Sequence, residues 1–467
     1  MRWLVVGGGA REHAIAATLA QAGAELLVAS PNTNPGLEHL AIGSRRLSVT
    51  DVTAVVAFAR EAKADAAILG PEAPLAAGAA DALRAAGIPS VGPGQQAARL
   101  ESSKAFCREL LARHRVGGQP KSLVVAAPEE VDPAVASIGG AFVVKPDALT
   151  SGKGVWVQGA DFAEDSEGAD YAKGFLVQGT RVLLEEKLEG EEFSLMAFVT
   201  DSGVYPMPTV QDFKRSLEGD RGRNTGGMGA YSQRDHLLPF LSSAARDDAV
   251  KVLEEAVAAL RAEGLPYRGI LYGGFLLTAH GPKLLEFNVR FGDPEGINVL
   301  SLYEEGDFSE LLLGVAEGHV DPNLMRFRLR STVLKYLVPP GYGSQPKAGG
   351  LLVLDDAAIS AEGVHVYYGQ VDARGPGTVA MSSSRAVALV GEASAIHEAG
   401  TRVEKALAHV TGDYYVRHDI ATPEDLERRK EHMRQLLVPG SKASPLPLSV
   451  AAPDAPASSA GPPEQLT

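Results

Sequence analysis

The 467-residue chain has one cysteine, no surplus of positive charge and no long apolar run. A single thiol, Cys107, cannot close an internal disulfide or build a thiolate metal cage, which fits a reducing cytoplasm. Cys107 falls in the helical pattern KAFCRELLARH and reads as a packing residue. Lys+Arg number 44 against 58 for Asp+Glu, a formal charge of −14. That balance argues against nucleic-acid and anionic-membrane partners. The N-terminal apolar run, Trp3 to Val6, is too short for a signal peptide. No stretch reaches the roughly eighteen apolar residues of a membrane helix. A cytoplasmic monomer is expected.

What is present is ordinary globular material, 45% hydrophobic and 22% charged, with length for about three domains at ~150 residues each. Residues 1–100 alternate short apolar strands (2–6, Glu25 to Ala29, Ala66 to Leu69, about Pro89 to Val91) with helices (Glu12 to Ala22, Leu75 to Ala86). Such alternation predicts a parallel, Rossmann-like α/β sheet with ligands at the carboxyl ends of its strands. Gly7-Gly8-Gly9 and Gly70-Pro71-Glu72 fall there.

Residues 101–327 read as a mixed α+β domain, with a helix from Ser103 to His114 and a long one from Ala244 to Glu263. Its strands are expected near Ser122 to Val125, Ala141 to Lys145, Val182 to Glu186, Phe193 to Thr200, Gly269 to Thr278 and Lys283 to Phe287. Residues 328–437 form a smaller α+β domain. Its last helix starts at Thr422 (N-cap), Pro423 (N1) and Asp425 (N3). Residues 438–467 hold seven prolines and no aromatic residue, and are expected to be disordered.

Neither glycine loop matches a common nucleotide pattern. A dinucleotide fingerprint needs glycine where Glu12 stands, and a P-loop needs glycine where Asp147 stands and Ser/Thr where Gly154 stands. Gly7–Gly9 reads either as a tight strand-to-helix turn or as backbone donors for an anion. Thr150-Ser151-Gly152-Lys153-Gly154 reads as a hairpin, ordinary or laid over a polyphosphate with Lys145 upstream.

The strongest local constellation is Leu284-Leu285-Glu286-Phe287-Asn288-Val289-Arg290. Alternation along a strand puts Glu286, Asn288 and Arg290 on one face and Leu285, Phe287 and Val289 on the other. A carboxylate beside an amide oxygen suits Mg²⁺ shared with phosphate oxygens, and an adjacent arginine suits a phosphoryl or carboxylate group. Phe291-Gly292-Asp293-Pro294-Glu295 adds two acids. A third stretch sets Asp212, Lys214, Arg215, Arg221 and Arg223 beside the glycine-rich Asn224-Thr225-Gly226-Gly227-Met228-Gly229.

Together these segments resemble the phosphoribosylamine–glycine ligase (glycinamide ribonucleotide synthetase) family of the ATP-grasp superfamily. The resemblance rests on GGGAREHA (7–14), GPEAPLAAG (70–78), ESSKAF (101–106), VKPDALTSGKGV (144–155), EEKLEGEEFS (185–194), QDFKR (211–215), NTGGMGAYS (224–232) and EFNVRFGDPE (286–295). It spans about residues 1–420, weakly after 330.

It implies ligation of glycine to 5-phosphoribosylamine through an acyl phosphate, with ATP cleaved to ADP and phosphate and Mg²⁺ or Mn²⁺ as the metal. It implies an ATP-grasp domain with a mobile lid at about 121–190. Lys104 and Lys145 would meet the ATP phosphates under a loop of Ser151, Gly152, Lys153 and Gly154. Glu185, Glu186 and Leu188 would hold adenine, and Glu192 the ribose. Glu286 and Asn288 would ligate the metal. Arg290, Lys214, Asp212 and Asp293 would form the catalytic group. Gly8, Gly9, Arg11, Glu12, Gly70, Pro71 and Glu72, with Asn224, Thr225, Gly226 and Gly227, would bind substrate.

The chain departs from the family pattern at Phe213 (usually His), Arg223 (Pro), Val289 (Cys) and Gly296-Ile297 (Thr-Gln), and lacks the usual glycines at Ala148 and near Ser382-Ser383-Ser384. If these departures reshape the pocket, the alternative is a divergent ligase for another carboxylate and amine. A non-catalytic binding protein keeping the fold is the other class, disfavoured by the intact Lys145, Glu286, Asn288 and Arg290.

Overall fold

The computed structural model describes residues 1–148, 154–304 and 306–438. The N-terminal sheet is five-stranded and parallel, in the order 41–46, 25–30, 2–6, 66–69, 90–91. Its central strand Arg2–Val6 is nearly all apolar because helices cover both faces. Two elements escape the sequence pattern. The edge strand Ala41–Arg46 alternates half-buried with exposed residues and carries one β-branched side chain. Helix Val52–Glu61 follows it, N-capped by Asp51. The helix expected from Leu75 to Ala86 is two, Glu72–Ala76 and Ala79–Ala85, broken where Gly78 takes a positive φ of 86°.

Strands Ser122–Val125, Val182–Glu186, Phe142–Pro146 and Trp156–Val157 form an antiparallel sheet in that order. Helices Val131–Ile138 and Asp165–Val177 pack on it around a separate apolar cluster that includes Phe142, Val144, Phe162 and Leu184. The tail expected to be disordered lies, from residue 439, outside the described residues.

A second antiparallel sheet runs Gly203–Pro206, Glu191–Thr200, Gly269–Thr278, Gly281–Asn288. Its two long strands are almost wholly buried, and the N-capped helix Ser243–Ala262 lies against it. A third sheet joins Gln211–Asp212 and Gly229–Ser232 to Ser331–Leu337, Val387–Ala393 and Val364–Tyr368. Strands from the middle and the last third of the chain therefore share one sheet. The last helix, Pro423–Leu437, is capped as expected, with Thr422 Oγ1 accepting from the Asp425 N–H at 3.3 Å. Among the described residues no helix is long and apolar enough to cross a membrane.

Candidate active site

Where the N-terminal sheet meets the second and third sheets, a cavity of about 900 Å³ opens. It gathers residues from Gly7 to Arg385. Its N-terminal rim is the turn between strand Arg2–Val6 and helix Ala10–Gln21. The Glu12 carboxylate accepts from the Gly9 N–H at 2.7 Å and from Arg11 Nε at 2.7 Å, and Arg11 also donates to the Phe291 carbonyl. One donor of this helix start is thus already taken by Glu12. Gly8, Gly9, Arg11, Glu12, Pro71 and Glu72 line the cavity as expected. Gly70 does not: a Cβ there would sit 2.1 Å from Glu12 Oε1, so this glycine makes room for Glu12. Asn34 closes the rim from behind. Its Nδ2 donates to the carbonyls of Gly8 (3.0 Å) and Tyr368 (2.6 Å).

The floor is the end of strand Gly281–Asn288. Gly274 pairs with Glu286 while Phe275 pairs with Leu284, which leaves Leu285 as an extra residue. This bulge corrects the strict alternation expected here. Leu285 faces the cavity, which the buried Phe287 also borders, while Val289 stays behind it and Leu284 is the residue buried in Leu285's place. The Leu285 carbonyl accepts from Lys145 Nζ (3.2 Å) and Arg108 Nη2 (3.0 Å). Glu286 and Asn288 do come together on the floor, and Arg290 Nη2 donates to Asn288 Oδ1 at 2.9 Å. Arg290 also pairs with Glu101 at 2.8 Å. Burial works to raise the Glu286 carboxyl, but Lys214, Lys145, Lys104 and Arg290 outweigh it and hold Glu286 below the usual carboxylate range.

On the roof, Lys145 Nζ lies 2.5 Å from Glu185 Oε2, and Arg108 Nε lies 2.6 Å from Glu185 Oε1. The Glu185 side chain is therefore spent on cations, not open to a base. Lys104 donates to the Ala148 carbonyl at 2.7 Å, and burial lowers its pKa. Glu186, Leu188 and Glu192 line the cavity, together with Val143, Val155, Leu183 and Leu276, an apolar wall the sequence reading had not assembled. Ser151, Gly152 and Lys153 lie outside the described residues. Gly154 does not line the cavity, and its carbonyl accepts from Tyr171 Oη at 3.3 Å.

The far side carries Asp212, Lys214, Asn224, Thr225, Gly226 and Asp293. Lys214 Nζ lies 2.6 Å from Glu192 Oε2. Burial opposes the Lys214 ammonium, yet Glu192, Glu286 and Asp212 hold its pKa above the ordinary lysine range. Asp212 is pushed well up by burial and then by Glu295. Its Oδ1 is buried with no hydrogen-bond partner among the described residues. Gly227 is not in the lining; with φ at 107°, a Cβ there would sit 2.6 Å from Asp212 Oδ1. Arg385, Tyr336 and Tyr272 are among the cavity residues that went unpredicted here. Arg385 reaches the Asp293 carbonyl (2.7 Å) and carboxylate (3.2 Å), while Tyr336 donates to Asp293 and Tyr272 to Glu295. Glu101, three residues before Lys104, and Glu295, in the turn after Arg290, are omissions that did carry a local signal.

Two family models match the chain. The model described as "Phosphoribosylglycinamide synthetase, N domain" matches residues 1–101, and that for its "ATP-grasp (A) domain" matches residues 102–296. A phosphoribosylamine–glycine ligase of Pyrococcus abyssi is 43% identical over 436 residues, covering 93% of this chain and 98% of that protein. The chain belongs to the phosphoribosylglycinamide synthetase family. The protein of the same name from Methanothermobacter thermautotrophicus is 45% identical over 442 residues, covering 93% of this chain and 100% of that one. The crystal structure of the Thermotoga maritima phosphoribosylamine–glycine ligase superposes with a TM-score of 0.75 at 25% identity, over 90% of this chain and 100% of that chain. A biotin carboxylase from Campylobacter jejuni shares the fold, with a TM-score of 0.69 at 16% identity over 93% of this chain and 98% of that one.

Against this family the departures have a clear location. Phe213, Val289, Gly296 and Ile297 are buried and Arg223 is exposed, and none of these five lines the cavity, whereas Ser382, Ser383 and Ser384 do. Cys107, in helix Lys104–Arg113, borders it with a thiol that burial pushes up to about 11, which keeps it an inert packing residue.

Proposed function

We propose that the chain joins glycine to 5-phosphoribosylamine at this cleft, cleaving ATP to ADP and phosphate and giving glycinamide ribonucleotide. One observation carries the reading. A single carboxylate on the floor, Glu286, is ringed by Lys104, Lys145, Lys214 and Arg290. Four cations converging on one metal-site carboxylate suit a polyphosphate that brings its own divalent ion. The carboxylate and amide oxygens of Glu286 and Asn288 suit a hard divalent ion that keeps water and takes phosphate oxygens for the rest of its shell. Glu286 is held ionised, as a ligand must be, and Asn288 keeps an acceptor lone pair beyond the one Arg290 uses. Mg²⁺ or Mn²⁺ bound there would neutralise the triphosphate and the charge developing on it.

The division of labour follows the walls. The apolar side chains from Val143 to Leu276, with Glu186 and Leu188, suit a purine, and Glu192 its ribose. Lys145 and Lys104 face the phosphates. Glu185 acts at one remove, by fixing Lys145. Arg290 orients the glycine carboxylate for attack on the γ-phosphoryl group. The phosphoribosylamine nitrogen then attacks the acyl phosphate, and phosphate leaves. Asp212, with its unpartnered oxygen, and Glu295 are the acceptors available to an ammonium group, and Lys214 and Asp293 lie beside them. The Gly8–Glu12 rim, Glu72, and the Asn224–Gly226 turn opposite it hold the ribosyl phosphate. A monomer in the cytoplasm is the enzyme's proposed state and place.

Phe213, Arg223, Val289, Gly296 and Ile297 lie outside the lining, which supports these substrates over another pair, and of the departures only the Ser382–Ser384 turn borders the cavity. A coupled assay of ADP release tests the reading. Release is expected with Mg²⁺ and ATP only when glycine and phosphoribosylamine are both present. Steady turnover with another carboxylate and amine, and none with this pair, would overturn it.

A further inference from the structure

The back of the cleft holds a charge cluster that the reaction does not use. We propose that Arg429, from helix Pro423–Leu437, is a positioning residue for the nucleotide side of the cleft, acting through Phe213 and Glu191. Its side chain is 9% exposed. The guanidinium meets three carboxylates, Glu191 at 2.9 Å, Asp220 at 2.8 Å and Asp425 at 2.8 Å. Its Cζ lies 4.7 Å from the centroid of the Phe213 ring, which is also within 5.3 Å of Arg417 Cζ. His432 Nδ1 adds a contact to Glu191 at 2.7 Å.

Neither Arg429 nor any of these partners lines the cavity, but their chain neighbours do. Phe213 stands between Asp212 and Lys214, and Glu191 precedes Glu192. Successive side chains of extended backbone point to opposite sides. A grip on Phe213 and Glu191 from behind therefore sets Asp212, Lys214 and Glu192 in front. The Lys214–Glu192 pair, at 2.6 Å, is the cleft-side counterpart of the Arg429–Glu191 pair. Asp220 carries the same grip into the hairpin whose second strand ends at Asn224.

Stability is a poor explanation for such a cluster, because well-packed apolar residues often do as well as buried ion pairs. Direction is the better one. A planar guanidinium stacks on a ring while pointing donors along fixed lines, which a lysine cannot reproduce. Phe213 fits this arrangement. Between two guanidiniums a π face is attracted to both, whereas a protonated imidazole would be repelled.

The inference rests on the ligase reading above, with Glu192 on the nucleotide, so the test reads nucleotide binding directly. The full chain carrying Arg429→Lys is titrated with ATP and Mg²⁺, and its melting temperature is measured alongside. The dissociation constant is expected to rise about tenfold in a folded protein. In a Glu192→Gln background the same change is expected to add less than about threefold, because the contact it serves is already lost. Phe213→Leu carries the same comparison should Arg429→Lys fail to fold. Unchanged ATP binding in a folded variant, or factors that multiply in the double variant, would overturn the proposal. Absent ligation of glycine by the parent, with ATP binding intact, would instead count against the substrate reading.

Discussion

Lys145 and Glu185 meet diagonally across neighbouring antiparallel strands, with Nζ 2.5 Å from Oε2, and Arg108 closes the other carboxylate oxygen at 2.6 Å. Burial alone would raise the Glu185 carboxyl, but Arg108 and Lys145 bring it down to about 2. Glu185→Gln removes the charge that aims Lys145 and leaves Arg108 short of a partner. Removing one member of a buried ion pair costs roughly 3–5 kcal/mol. A lowered melting temperature is expected together with a KM for ATP raised about tenfold, or ~1.4 kcal/mol. A variant of normal stability and normal KM would show that the pair does nothing for Lys145.

Glu286→Gln keeps the shape of the floor and takes away its one carboxylate. Ligation is expected to fall roughly a thousandfold, about 4 kcal/mol of transition-state stabilisation, with the fold intact. ADP release at ordinary Mg²⁺, beside a circular dichroism spectrum, is the check. Near-normal turnover removes Glu286 from the metal site.

Arg223 departs from its family and is exposed outside the cavity. Exposed substitutions away from special features usually lie within ~0.5 kcal/mol. Arg223→Ala should accordingly change kcat/KM for glycine and phosphoribosylamine by no more than about threefold. A larger loss would mean that the hairpin reaches the substrate.

His13 supplies a pH dependence of stability. It is buried beneath Tyr368, with Nδ1 accepting the Tyr368 N–H at 3.0 Å, and burial followed by His39 pushes it down to about 4. A base whose folded pKa is depressed holds its full contribution above the unfolded value of about 6.5 and loses it as pH falls toward 4. The loss amounts to roughly 3 kcal/mol. Urea midpoints of the parent should fall between pH 6.5 and 4. His13→Gln, which keeps an acceptor and cannot titrate, should flatten that part of the curve. An equal fall in both proteins would assign the dependence elsewhere.

The periodic parts of the chain were legible. Strands Ala66–Leu69 and Gly269–Thr278 fall where the pattern puts them, because buried strands and their glycine boundaries leave a local signature. The floor was legible for the same reason, Glu286, Asn288 and Arg290 being two residues apart. The bulge at Leu285 was not, since it depends on which residue of the partner strand lies opposite. Arg385 was out of reach, because its bonds to Asp293 span 92 positions. Strand Ala41–Arg46 stayed hidden because an edge strand with a polar outer face needs few apolar residues.

The ties from Asn34 to Tyr368 and from Thr33 to Asp372 also dictate an order of assembly. The N-terminal parallel sheet draws only on the first 91 residues, so it can close while the rest of the chain is still being made. Its ligand-facing rim cannot: two of its anchors lie more than 330 positions downstream. Contacts of that span form late. A growing chain therefore owns a finished sheet long before it owns the anchors that finish the cleft's rim.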